Sequence, residues 1–306
     1  MFKGFRQYDF SPYIESMRAV MPDPTFTLTM PDMRTSPVVF SSPHSGREYS
    51  RAFRRAAAIG QKALRSSEDA FVDLLFAAAP DMGAPLICAT APRAFLDLNR
   101  GPDELDPALI RGVRPVGQNL RVSSGLGVIP RVVSGGREIY RGKLAYEEAR
   151  QRIDTFWRPY HAALNELLGQ SRALFGQAIL VDCHSMPHEA IRSLCHGEAV
   201  KPEIVLGDRF GTSASAEIVD QVEAAFVDAG FRVARNKPFA GAYIAQAYGR
   251  PSRRQHVVQV EIDRALYMNE TALRPNENFV AFKDMLDGII RKIAMIGNDR
   301  VPMAAE

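Results

Sequence analysis

The sequence predicts an α/β fold, a sheet with helices on both faces. Three observations carry this. Short apolar runs alternate with stretches of helical periodicity. Hydrophobic residues make up 46% of a 306-residue chain, enough for a sizeable core in one large α/β domain. Two of the apolar runs lead directly into a histidine, and ligands of open α/β sheets collect outside the carboxyl ends of strands.

Residues 1 to about 32 are spotted with Pro and Met and read as an N-terminal arm of a single domain. Pro37-Val38-Val39-Phe40 is a buried strand that ends in the turn Pro43-His44-Ser45-Gly46. Ser66-Ser67-Glu68-Asp69 opens a helix, because serine caps and early carboxylates satisfy its first turn. Phe71, Leu74, Leu75 and Ala78 follow at helical spacing, with Asp69 in the first turn. Residues 85–89 form another strand, and 94–98 a further one ending in Asp97-Leu98-Asn99-Arg100.

From about 101 to 142 the pattern dissolves. Seven glycines fall between Gly112 and Gly142, among Arg111, Arg114, Arg121, Arg131, Arg137 and Arg141. A stretch this long without clear structure is a binding loop or a solvated insertion. Residues 144–175 are helical, as two helices meeting near Pro159. Residues 178–181 form a strand running into Asp182-Cys183-His184-Ser185. Residues 215–228 form an amphipathic helix stopped by Gly230. Strands follow at 231–234 and 257–262, and a closing helix at 278–295.

Lys and Arg number 38 against 35 for Asp and Glu, a formal charge of +3. That balance argues against nucleic acid or an anionic membrane as partner. The arginine-rich stretch lacks the interleaved aromatics of a single-strand binder apart from Tyr140. Cys88, Cys183 and Cys195 make an odd count without C-x-x-C spacing, so neither a disulfide framework nor a cysteine zinc site is expected. With no signal-peptide pattern and no apolar run of ~18–20 residues, the expected location is cytoplasmic.

His44 and His184 both follow strands, so two imidazoles at one sheet edge are candidates for a metal site. A third ligand is required, and Glu48, Glu68, Asp69 and Asp182 all remain open on spacing alone. In the strand ending at Ile262, Val258, Val260 and Ile262 share one face, and Gln259, Glu261 and Asp263 the other. A carboxylate near the end of such a half-buried strand suits a general base with a raised pKa. The competing reading is an ion pair of Glu261 with Arg264 or Arg93.

Taken together these residues resemble the N-formylglutamate amidohydrolase family. The motifs are Pro43-His44-Ser45-Gly46, Glu68-Asp69 with Asp73, Asp97-Leu98-Asn99-Arg100, Asp182-Cys183-His184-Ser185-Met186-Pro187, residues 238–241, Tyr248-Gly249, and Glu261-Ile262-Asp263-Arg264-Ala265-Leu266-Tyr267-Met268. They span about residues 38–270 in the right order. The resemblance implies a three-layer α/β/α fold with a largely mixed sheet, similar to zinc carboxypeptidases and aspartoacylases. It implies a zinc site of His44, Asp69 and His184, another divalent transition metal being possible, and Glu261 as general base. Arg47, three residues after His44, departs from carboxypeptidase-like ligand spacing, which favours Asp69 and keeps Glu48 and Glu68 as rivals. Asn99 and Arg100 take the substrate-binding positions, with Arg93 and Arg264 as further arginines; His188 is a neighbour of the site or a proton donor outside the metal set, and His161, His196 and His256 also stay out. The implied reaction is hydrolysis of the amide of a small N-acyl acidic amino acid, foremost N-formyl-L-glutamate. The rivals are an aspartoacylase-like or carboxypeptidase-like enzyme and a non-catalytic metal-binding protein.

Overall fold

A computed structural model describes residues 25–114, 119–194 and 201–298. Its centre is a seven-stranded sheet. The strands are β1 (Phe26–Thr29), β2 (Val38–Ser42), β3 (Leu86–Ala89), β4 (Ala178–Met186), β5 (Ile204–Gly207), β6 (Val233–Arg235) and β7 (Gln255–Asp263). Their spatial order is β1-β3-β2-β4-β7-β5-β6. β3, β2, β4 and β7 run parallel, whereas β1 joins β3 and β5 joins β7 antiparallel, so the sheet is mixed.

The two faces follow from residue parity. On one face Ile179, Val181, Cys183, Val258, Val260 and Ile262 join a core with Ile218, Val222, Phe226, Leu286, Ile289 and Ile293. The last six belong to helices α4 (Ala216–Val227) and α6 (Phe279–Ala294), named here in chain order after α1 (Val72–Leu75), α2 (Tyr146–Arg152), α3 (Arg158–Phe175) and α5 (Tyr243–Tyr248). On the other face Leu180 and Val257 pack with Tyr160, Leu164 and Leu168 of α3. Helices on both sides of the sheet make three layers, as expected. Among the described residues no helix is long and apolar enough to cross a membrane.

Several elements match their expected bounds. α6 is flanked by Asn278 and Met295, and α4 is followed by Gly230 at φ 91°. α2 and α3 meet through a π-helical turn at Ile153–Trp157, just before Pro159. A proline has no N–H to give to the preceding turn, which accounts for the break there.

The structure also departs from expectation. Residues 26–29, read as part of the arm, form the edge strand β1. β5 went unseen because four residues are too few to show periodicity. Residues 94–98 are not a strand. Phe95 N–H bonds Pro92 O at 2.8 Å and starts a turn, and Asp97 then takes the Asn99 N–H at 2.8 Å. The helix expected from Ser66 is broken. A 3-10 turn (Arg65–Ser67) gives way to extended backbone at Glu68, and α1 begins only after Phe71, at φ 68°. Asp69 therefore sits in an irregular connection and not in a helix. β4 runs on to Met186, so His184 lies within the strand. β7 is buried on both faces, not half-buried, apart from its first residue.

Candidate active site

The site lies at the carboxyl ends of β2, β4 and β7. β4 and β7 pair in parallel register with His184 opposite Glu261 and Asp182 opposite Gln259. Directly paired residues project to the same face, so all four side chains point the same way. His44 arrives from the turn after β2. Gly46 makes that turn possible, because a Cβ there would lie 2.1 Å from Ala91 O. The Asp69 N–H bonds His44 O at 3.0 Å, which clips the irregular 68–71 connection onto the turn.

Both imidazoles face Asp69. Its Oδ2 lies 2.9 Å from His184 Nδ1 and 3.4 Å from His44 Nδ1. The rings stand 4.8 Å apart, centroid to centroid. Each opposite ring nitrogen is held by another carboxylate: His44 Nε2 by Asp97 at 2.7 Å, and His184 Nε2 by Asp182 at 3.0 Å. A carboxylate on His44 Nε2 makes that nitrogen the N–H and leaves Nδ1 as the lone pair, whereas His184 has a carboxylate at each ring nitrogen, and against the pull of burial Asp182 and Asp69 hold its pKa well above the usual value. His44 Nδ1 is buried and satisfied by no hydrogen bond among the described residues. One ligand atom each from His44, Asp69 and His184 lies within 4.8 Å of the others. The donor set and the orphaned nitrogen fit a divalent cation, which would take the lone pairs of neutral imidazoles.

The rival carboxylates are elsewhere. Glu68 is turned away to accept from Tyr49 Oη at 2.6 Å and from Arg65 Nε at 3.1 Å. Glu48 is exposed. Of the two His184 ring nitrogens, Asp182 meets the one turned away from Asp69.

The electrostatics follow from burial and pairing. Burial alone would raise the Asp69 pKa, but the hydrogen bond with His184 and the nearby His44 imidazole outweigh it and hold the carboxyl well below its usual range. Asp97 is likewise held well down despite burial, chiefly by Arg93 and His44. Glu261 goes the other way. Burial pushes its pKa up to about 7, against the opposing pull of His184. Its side chain accepts from Gln259 Nε2 at 2.8 Å and makes no ion pair among the described residues. Arg264 binds Asp69 at 2.9 Å and Arg93 binds Asp97 at 3.0 Å, so neither is the partner that the ion-pair reading required.

The expected substrate-binding residues all line one cleft of about 580 Å³ with the histidines and Glu261. They are not equally free. Asn99 Oδ1 accepts the Ile244 N–H at 2.8 Å, and its Nδ2 donates to Asp182 at 3.3 Å, so its amide is engaged at both ends. Arg264 is committed to Asp69 and Ser185. Among the described residues Arg100 is tethered only by backbone oxygens, Leu126 O at 3.0 Å and Asn99 O at 2.7 Å. Part of the Gly/Arg-rich stretch forms the opposite wall, with Arg121, Leu126 and residues 132–136 lining it. Sequence reasoning missed Arg121 and Gln259 as site residues, and the orienting roles of Asp97 and Asp182. Only the position of Gln259 beside Glu261 in the strand pattern offered a signal. His188 is half-exposed and pairs with Asp263 at 2.8 Å.

A mixed α/β/α sheet whose strand ends carry a buried two-histidine, one-carboxylate cluster beside a glutamate on the neighbouring strand has the layout of a metal-dependent hydrolase centre. The family model for N-formylglutamate amidohydrolase matches residues 36–268, and the chain belongs to that family. Curated relatives named N-formylglutamate deformylase include those of Pseudomonas putida, 30% identical over 77% of this chain and 83% of that protein, and of Pseudomonas aeruginosa, 29% identical over 77% and 84%. The crystal structure of N-formylglutamate amidohydrolase from Ralstonia eutropha JMP134 superposes with a TM-score of 0.83 at 37% identity, covering 88% of this chain and 97% of that one. A gene product of Agrobacterium tumefaciens shares the fold at a TM-score of 0.62 and 16% identity, covering 91% of this chain and 96% of that one.

Proposed function

We propose that this chain hydrolyses the amide of an N-acylated acidic amino acid, foremost N-formyl-L-glutamate, releasing formate and L-glutamate. The observation that carries the reading is the convergence of His44 Nδ1, His184 Nδ1 and an Asp69 oxygen beside a buried Glu261. The names of the relatives at 30% and 37% identity support the substrate.

In this reading His44, Asp69 and His184 hold a divalent metal. Two imidazole nitrogens and a carboxylate suit zinc, and also other transition metals. When bound, such an ion makes water a better nucleophile and polarises the scissile carbonyl. Asp97 and Asp182 fix the histidine tautomers, and Arg264 fixes Asp69. Glu261 takes a proton from the attacking water, whose oxygen bonds the acyl carbon. The C–N bond then breaks, and the same proton passes from Glu261 to the leaving nitrogen. Arg100 and Arg93 supply guanidinium donors for the substrate's carboxylates, while Asn99 donates to Asp182, the carboxylate that holds His184 Nε2.

A second reading has a specific observation behind it. A cleft of about 580 Å³ leaves room for an acyl group larger than formyl, as an aspartoacylase-like enzyme requires. Cys88 and Cys183 are buried and free, which supports a reducing compartment, the cytoplasm.

Formate release from N-formyl-L-glutamate by zinc-loaded protein, beside a chelator-stripped aliquot, tests the reading. Release should vanish on stripping and return with zinc. Hydrolysis of N-acetyl-L-glutamate or N-acetyl-L-aspartate without the formyl substrate would shift the assignment to the second reading. Turnover of none of these would sink both.

A further inference from the structure

We propose that Gln259 is a working part of the reaction centre: its side-chain nitrogen sets the position of Glu261, and its side-chain oxygen accepts the N–H of the scissile amide. The inference rests on the amide-hydrolase reading above.

Gln259 lies on β7 two residues before Glu261, on the same face, and lines the cleft at only 4% exposure. Its Nε2 donates to Glu261 Oε1 at 2.8 Å. In the ionised form that acts as base, the Glu261 carboxylate only accepts, so the amide turns its nitrogen toward it. That bond occupies Oε1 and leaves Oε2 of Glu261 to exchange protons. The same orientation exposes the other end of the amide. Gln259 Oε1 is buried and has no hydrogen-bond partner among the described residues.

Neither of its cross-strand neighbours supplies one. Across the sheet Gln259 pairs with Asp182 on β4 and with Gly207 on β5. Asp182 is itself an acceptor, and Gly207 has no side chain. A Cβ on Gly207 would lie 2.7 Å from the backbone of Ala240 and Gly241, so the 240–241 segment presses directly onto the sheet there. With no partner among the described residues, Gln259 Oε1 is free to take a donor that enters the cleft it lines.

An N-acylated acidic amino acid at neutral pH offers one N–H, on the scissile amide. Every other polar atom it carries is an acceptor. The unpartnered oxygen therefore selects the amide nitrogen, the atom to which Glu261 must return its proton. As the C–N bond breaks, that nitrogen gains a proton and positive charge. A hydrogen bond from it to Gln259 Oε1 strengthens along the reaction, so its effect belongs in kcat.

The test compares an amide with an ester. Gln259→Met keeps length and volume but removes both polar ends. Wild type and variant, both metal-loaded, are assayed on N-formyl-L-glutamate and on the O-formyl ester of 2-hydroxyglutarate, in which oxygen replaces the N–H. Rates are corrected for spontaneous hydrolysis. On the amide, kcat should fall about 100- to 1000-fold with KM and metal content little changed. On the ester the loss should be about tenfold, the part owed to a misplaced Glu261. Equal losses on both substrates would overturn the N–H contact, and an unchanged kcat on the amide would overturn the proposal entirely. Should the methionine variant fail to load metal, Gln259→Asn gives the same amide-to-ester ratio. The wild-type rate on the amide tests the function itself, so the two failures separate.

Discussion

The floor and the outer wall of the cleft are built on opposite principles. The floor consists of His44, Asp69, Asp97, Asp182, His184 and Glu261, all buried and locked by hydrogen bonds to one another or to residues beneath them. Three of the six sit on central strands that pair on both sides, where register fixes position to a fraction of an ångström. The wall comes from the Gly/Arg-rich stretch, whose short helix (Leu120–Ser123) and two-residue strands at Val132–Val133 and Arg137–Glu138 carry exposed side chains such as Arg121. A low-dielectric floor shifts pKa values and can hold a cation. An exposed wall, screened by water, steers and admits substrate. Floor substitutions should therefore move chemistry, metal content or stability, and wall substitutions should move KM.

The largest effect belongs to Glu261→Gln. It keeps shape and burial but cannot accept a proton, so kcat should fall about 10²- to 10⁴-fold with metal content retained. Activity within a few-fold of wild type would remove Glu261 from its role.

Next is His161, which supports the floor from α3. Its Nε2 bonds Leu98 O at 2.9 Å, next to Asn99, and its ring stacks on Trp157 with centroids 3.9 Å apart. Burial lowers its pKa to about 4. The unfolded chain therefore binds a proton there between about pH 6.5 and 4 that the folded chain refuses. Its contribution to stability is present above that window and is lost as pH falls through it. Between pH 7 and 4 the wild type should lose up to about 3 kcal/mol more than His161→Gln in denaturant titrations. Identical pH dependence in the two proteins would mean that His161 is not held neutral.

A smaller change follows from Asp182→Asn and Asp97→Asn, which loosen the histidines without removing a ligand. Each should weaken zinc affinity about 10- to 100-fold in competition with a chromogenic chelator. If only one does so, the two histidines are not equivalent supports. The smallest effect is expected at the wall. Arg121→Ala should raise KM up to about fivefold, less at high salt, with kcat unchanged, as an exposed charge pair is worth about 1 kcal/mol or less. A fall in kcat instead would show that the wall takes part in the chemistry, and the contrast with the floor would fail.

The chain's own order of apolar and polar residues determined much of this molecule. The strand at Val38–Ser42, the helices closing at Gly176 and before Gly230, the break at Pro159 and the amphipathic Phe279–Ala294 helix follow from local periodicity and backbone chemistry. So does the face shared by Gln259 and Glu261, because strand parity is a property of sequence alone. Two histidines at strand ends were legible for the same reason. What sequence left open was which carboxylate joins them. Glu68 and Asp69 are adjacent, and nothing local decides which turns inward. Tertiary structure decided it: the left-handed residue Phe71 and the clip from Asp69 N to His44 O turn Asp69 toward the imidazoles, while Tyr49 and Arg65 draw Glu68 away. Likewise the alignment of His184 with Glu261, and the carboxylates that fix each tautomer, arise from pairing between segments tens of residues apart. Such contacts leave no periodic trace in the chain, because register and side-chain pairing are set by closure of the whole sheet.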